Sequence, residues 1–493
     1  MKSGFRWSGR ILGSLLSAAL AAHIVHAQQQ ETAEAASLAA VVDGHSFAGQ
    51  VGGNFQPVFN GAIGPFSYIQ MINTSARIYN RNTHAVVATA SLDKIAGTGG
   101  QTSTGLTTFS VDPQIIWDPS TNRFYYVMRS TLGRFNHVLA FGFSRTSNPT
   151  DFSTNNWCNY RGSEGPQLPL DLTLGDSHHF IIIGANFTGP GGHGPRVIAI
   201  SKPPAGSACP AASSFKIGGS GFLVDTNDVL TWAPVAANQV DGNATGYVVA
   251  RSGQLPSNKL WFYSITRDPS TGFPVVGTAR GLTVPTYDMP PDASQPTVSQ
   301  RLETGDARLT QAVQARNPNR GTIQSFWVQH TVKHLTADLA AVRWYEIDPA
   351  PARPVILRSG LIKNSTSHFY NAAISPDRRS DGATLQFGDS FVIHYNESGS
   401  ASGISPRIVA RSSFDGGPLS APLIVRNAAG PFQHSSCSTT GSTCSWGGSQ
   451  ASPDPRPTAE GRGQVWGTNM YSGVANPSTS NPNYRTWIFA LQP

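Results

Sequence analysis

The side chains able to do chemistry in this chain are sparse, and they gather at the openings of apolar, strand-like runs. Asp112, Asp171, Asp306 and Asp377 stand at or beside such openings, with Gln114, Asp176 and Asp454 in the same pattern. Carboxylates that converge on one site can divide into a general acid and a general base when their surroundings push their proton affinities apart. Asp306, Asp171 and Asp377 are the candidates for that role. Arg308, beside Asp306, can be held rigid and presented to an anionic group, because a guanidinium offers a planar fork of donors. Gln311, Asp112 and Trp446 complete the expected ligand-binding set. Trp446 precedes Gly447 and Gly448, and an indole can stack on a sugar ring while neighbouring polar groups reach its hydroxyls.

Each of these residues has a competing structural role. Asp112, Asp118 and Asp454 precede prolines, where aspartate commonly starts a turn by capping its own backbone. Asp306 and Arg308 could equally form a buried ion pair tying two units together. Trp232, Trp261, Trp327, Trp344, Trp466 and Trp487 recur beside strands at positions suited to packing between sheets. His178 and His179 are adjacent on a strand, so their rings point to opposite faces and cannot ligate one metal. His330 and His334 lie in a strand-to-turn stretch. No metal site is expected from these histidines and no cofactor is identified, although carboxylates round a common axis could hold a structural calcium ion. The GxSxG, HExxH and glycine-rich phosphate motifs are absent. Sequons occur at Asn73, Asn186, Asn243, Asn364 and Asn396 and matter only in an N-glycosylating host.

The elements that must position these residues repeat. One copy is DPQIIWDPSTNRFYYVMRS from Asp112, followed by HVLAFGFSR and FSTNNWCNYR; others open at Phe59, Leu170, Leu230, Asp306 and Tyr370. Each unit gives an opening strand, a second strand after a tight turn, a third and a looser fourth. Units recurring every 60 to 70 residues, roughly, fit propeller blades and are too long for a β-helix. The count is seven, with six or eight as alternatives because the unit from Leu230 is weak. The final unit supplies only three strands, and an open sheet edge invites aggregation unless covered. Ser37 to Phe47 is placed to complete it, pairing beside Tyr484 to Leu491. The expected fold is therefore an all-β, seven-bladed propeller closed by an N-terminal strand, with residues 46–493 as its body and 28–45 as leader and closing strand.

Composition agrees. Fifty glycines, 35 prolines, 10% aromatic and only 13% charged residues describe short strands and tight turns, not solvated helices. The net charge of +7 is spread singly along the chain, which argues against nucleic-acid binding. Lys2, Arg6 and Arg10, the apolar run Ile11 to Val25 and the small-residue site ending at Ala27 read as a signal peptide over residues 1–27. The apolar run falls short of the roughly 20 residues needed to span a bilayer. The four cysteines then meet an oxidising compartment, which favours disulfides. Cys437 and Cys444 bracket a short Ser/Thr/Gly loop, leaving Cys158 to pair with Cys209.

The patterns IGPFSYIQMINTSARIYN, DPQIIWDPSTNRFYYV, GDARLTQAV with VRWYEID, and SWGGSQASPDP with VWGTNMYSG resemble secreted bacterial propellers of sialidase-like or BNR-like type. The resemblance implies the architecture. It does not transfer sialidase chemistry: only Ser413 to Gly417 approaches an Asp-box, without the closing Trp, and the N-terminal arginine motif is missing. The expectation is a secreted monomer that binds an extracellular glycan or cell-surface component through its central funnel. The alternative is a glycoside hydrolase or polysaccharide lyase with a carboxylate-lined site.

Overall fold

A computed structural model describes residues 41–52, 56–97, 108–132, 136–239, 242–317, 320–321, 323–377, 388–414, 416–434, 437, 442–456, 463–474 and 484–493. The expected signal peptide over residues 1–27 and most of the expected leader lie outside the described residues. Antiparallel strands dominate, and the one α-helix among the described residues, α1 (Leu92–Ala96), is capped by Ser91 and ended by Gly97 at φ 65°. No helix among the described residues is long and apolar enough to cross a membrane.

The architecture is set by the first strand of each repeat: β2 (Phe59–Ile63), β3 (Thr108–Asp118), β4 (Leu168–Asp176), β5 (Thr231–Gln239), β6 (Leu309–Arg316), β7 (His368–Pro376) and β8 (Gln450–Pro453). Each of these leads outward into an antiparallel sheet, and each contacts the next in order until β8 meets β2 again. Such a closed ring of radiating sheets is a β-propeller. At one joint the ring is tighter than the repeat pattern suggests. β5 and β6 pair in parallel, Ala237 opposite Ala312 and Gln239 opposite Gln314, so two units merge into one nine-stranded sheet.

The ring is closed as the short last unit requires. An N-terminal strand, β1 (Val41–Val51), pairs antiparallel with β10 (Tyr484–Gln492), Phe47 opposite Ile488, and β10 continues through β9 (Val465–Ser472) to β8. The closing strand extends a few residues past Phe47, because Ala48 and Val51 also pair, opposite Trp487 and Arg485; residues 37–40 lie outside the described set.

Aromatic and aliphatic side chains fill the spaces between sheets. Trp117, Phe124, Tyr126 and Trp157 join Ile69 and Ile78 in one such layer. Trp327 and Trp466 are fully buried, as packing residues should be. Truncating a buried ring of this size costs about 3–5 kcal/mol. Cys158–Cys209 and Cys437–Cys444 are both disulfide-bonded.

Candidate functional site: a charge-paired cavity at the ring axis

Five inner strands shift register, β6 between Leu309 and Ala312 without a left-handed residue in the shift, and four others alike. The pairing shifts between Val111 and Gln114, Leu170 and Thr173, Trp232 and Val235, and Tyr370 and Ala373. The first residue of each bulge, Asp112, Asp171, Ala233 or Asn371, has φ between 49° and 56°. Asp and Asn tolerate this left-handed conformation better than other residues, and a bulge re-aims its side chain. The bulges are clamped by asparagines on neighbouring strands. Asn73 accepts the Asp112 amide at 2.8 Å, and Asn186 accepts the Ala233 amide at 3.0 Å while donating to Asp171 at 2.9 Å. Asn396 accepts from Asn371 and from the Trp446 indole. Three of the five sequons are thus buried structural clamps, not accessible glycan acceptors.

The bulges open onto a cavity of about 340 Å³. Its charged lining consists of Asp112, Arg129, Asp171, Glu303 and Arg308. Arg129 binds Asp112 at 2.9 Å, and Arg308 binds both Asp171 and Asp306, the latter at 2.6 Å. Asp306 lies just behind the lining, where it also receives Arg251 at 3.3 Å and the Trp232 indole at 3.0 Å. Asn60 adds an amide that donates to Gln114 at 2.8 Å. The wall opposite is formed by Trp446 to Ser449. Gly448, at φ 84°, lies so close to β2 that a Cβ would come within 2.7 Å of the Phe59 amide.

Proton affinities follow this arrangement. Burial raises the Asp112 carboxyl, with Arg129 opposing and the nearby Asp171 reinforcing the shift. Burial would likewise raise Asp306, but Arg308 and then Arg251 outweigh it and hold that carboxyl at about 2. Glu303 is raised chiefly by burial, against the pull of Arg308. Unlike the other carboxylates here, the Glu303 side chain makes no hydrogen bond or ion pair among the described residues.

The residues singled out in the sequence divide into two groups. Asp112, Asp171, Arg308 and Trp446 meet at the cavity, with Asp306 behind them. Asp112 is a bulge residue and not a turn cap, a correction to its Asp-Pro reading. Trp446 shapes the wall but offers no open ring face: it is 5% exposed, with its edge against Phe432 and its N–H given to Asn396. Gln311 points away from the cavity, its amide accepting from the Ala451 N–H at 3.1 Å and donating to the Ala451 carbonyl, so it ties β6 to β8. Asp377 lies beyond the far end of β7, where it accepts the Gly388 amide at 3.0 Å. It is separated from the cavity by the length of the strand.

Of the two histidines expected at a turn, one departs from that expectation. His330 is a core residue bridging Ala307 and the Tyr345 hydroxyl, whereas His334 caps a turn. No cluster of three or more His, Cys, Asp or Glu suited to a metal occurs among the described residues, and the inner-strand carboxylates turn to cationic side chains instead of to one another. Arg129 and Glu303 escaped the sequence reading. Arg129 lies on a second strand, opposite Val111, and Glu303 in an irregular stretch before β6.

No protein-family model and no curated protein matches the chain. Among solved structures it is similar to an apocarotenoid oxygenase of Synechocystis, at 12% identity over 74% of this chain and 71% of that one, TM-score 0.39. An α-L-arabinanase of Penicillium chrysogenum aligns at 12% identity over 79% and 99%, TM-score 0.38. A Trypanosoma rangeli sialidase aligns at 9% over 77% and 54%, TM-score 0.34. Scores this low assign neither reaction nor residues.

Proposed function

We propose that this protein is an exported, seven-bladed propeller that binds a neutral glycan in the cavity at its ring axis. The blade count takes the nine-stranded sheet as two blades joined through β5 and β6. One observation carries the ligand class: the cavity's charges are nearly balanced, three acids (Asp112, Asp171, Glu303) against two arginines (Arg129, Arg308), a net of −1. An anion-binding funnel needs surplus positive charge, and a cation site needs several unpaired carboxylates, of which this lining offers Glu303 alone among the described residues. Fixed carboxylate–guanidinium pairs instead present acceptors and donors side by side. That arrangement suits vicinal hydroxyl groups, each of which both donates and accepts. Calorimetric titration of neutral and sialylated oligosaccharides into the mature protein tests this. Neutral sugars should bind, and Arg308→Ala and Asp171→Ala should each weaken binding at least tenfold. Preference for the sialylated series, or unchanged affinity in both variants, contradicts the proposal.

Glu303 favours a second reading. A carboxyl raised by burial, with no hydrogen bond or ion pair among the described residues and with Asp171 nearby, is what a general acid in glycoside cleavage requires. If the ligand is cleaved, Glu303→Gln should abolish release of reducing ends while leaving binding within about threefold. Absence of turnover on every bound glycan leaves binding alone.

A further inference from the structure

The opposite end of the inner strands carries a second pocket of different character. β3 and β4 run about 20 Å from their bulges to Asp118 and Asp176, at the usual strand rise. Beyond those residues the turns open a depression of about 500 Å³ lined by Ser120, His178, His179, Lys202, Lys216 and Arg267 among others. Among the described residues, no Asp or Glu belongs to that lining.

The charges there are not equivalent. Lys202 forms the floor and is already neutralised, with Asp118 at 2.7 Å and Asp176 at 2.6 Å. Lys216 and Arg267, both exposed on the walls, have no carboxylate partner among the described residues. Lys216 is steadied over the Phe273 ring at 4.8 Å, and Arg267 lies against the Gly272 turn. His178 and His179 lie in the bend after β4, not on a strand with rings on opposite faces as expected, and stand edge to face at 4.8 Å; their ring nitrogens make no hydrogen bond among the described residues. The His179 imidazole is held below its ordinary value by burial first and then by the charges of His178, Arg267 and Lys202, so the local field is positive.

From this geometry we infer that the pocket binds an oxyanion of the sulfate or phosphate class, gripped by Lys216 and Arg267 with the two imidazoles as further donors. A guanidinium and an ammonium lining one pocket, neither with a carboxylate partner among the described residues, suit a group with several equivalent oxygens. The inference is independent of the axial cavity and of what that cavity holds.

Three probes test it on the mature protein by calorimetry at low salt: inorganic sulfate, inorganic phosphate, and a sulfated oligosaccharide beside its desulfated form. At least one oxyanion probe should bind, and Lys216→Ala/Arg267→Ala should weaken it tenfold or more with the melting temperature unchanged. Binding of the inorganic ions identifies a free-ion site; binding of the sulfated oligosaccharide alone identifies an ester on a polysaccharide. No binding by any probe, or equal affinity in the double variant, overturns the assignment. Because both side chains are exposed, a loss of fold is not expected. If the double variant melts early, Arg267→Gln alone must give the same loss of affinity for the assignment to stand.

Discussion

Aspartate serves opposite purposes at the two ends of the inner strands. At the upper end, Asp171 and its partner Arg308 keep 32% and 27% of their side-chain surface exposed. At the lower end, Asp118, Asp176 and Lys202 keep 2%, 1% and 2%. Arg81 and Asp454 repeat the lower pattern, joined by two contacts of 2.6 Å and backed by the Trp466 indole. A buried pair fastens neighbouring sheets and can do little else, since its hydrogen bonds are all spent. A pair facing a cavity can exchange some of its contacts for those of a ligand. Exposure, not residue type, separates fastening from recognition here. The shared Lys202 shows the cost of fastening: burial, with Asp118 as a second negative charge beside it, pushes Asp176 up to about 7 despite the ammonium.

The largest expected effect lies at the lower end. Lys202→Ala strands two buried carboxylates and should cost about 3–5 kcal/mol in a urea melt. Arg308→Ala, at the partly exposed upper end, should cost about 1 kcal/mol or less. Equal losses would erase the distinction between the two ends.

Acid should unsettle the layers between the two ends before it reaches Asp306. Burial holds His330 at about 3 and His368 and His394 at about 4. These histidines are neutral when folded and take up protons on unfolding, so stability is complete above the unfolded value of about 6.5 and falls as the pH drops below it. Each contributes a loss of about 2 kcal/mol at pH 5. Asp306 acts in the same direction only later, its contribution being lost between the ordinary carboxylate value and about 2. A urea midpoint that stays flat from pH 7 to pH 5 would contradict the neutral, buried state of these rings.

An effect smaller than that of Lys202→Ala belongs to the bulge clamps. Asn186→Ala removes the acceptor for the Ala233 amide and the donor to Asp171, and should cost about 1–3 kcal/mol. Its loss of ligand affinity should approach that of Asp171→Ala, because the carboxylate is no longer aimed. Loss of stability with full affinity would mean that the bulge holds its shape unaided.

The strand order was legible because alternation and turn chemistry are local. DPSTNR marks a reversal, and FIIIGANF can be little other than a buried strand. The shortage of strands after Ser449 pointed to an N-terminal partner, and cysteine spacing pointed to both disulfides. The site was only half legible. Asp171 and Asp377 both flank opening strands, yet one stands at the start and the other beyond the end, which places them at opposite ends of the ring. Gln311 and Arg308 are three residues apart, but the register shift between Leu309 and Ala312 sends one into the cavity and the other to Ala451. Arg129 belongs to a second strand and comes to the axis only because its partner strand is bulged. Register and bulging depend on pairing across the sheet, and no run of residues spells them out.

The most direct test is titration of neutral oligosaccharides into the wild-type protein and into Arg308→Ala, with the fold of both checked by thermal melting. Saturable binding by the wild type, reduced at least tenfold in a variant that melts within a few degrees of it, is the predicted result. Binding that survives the substitution, or is absent from both proteins, would contradict recognition at the axial cavity.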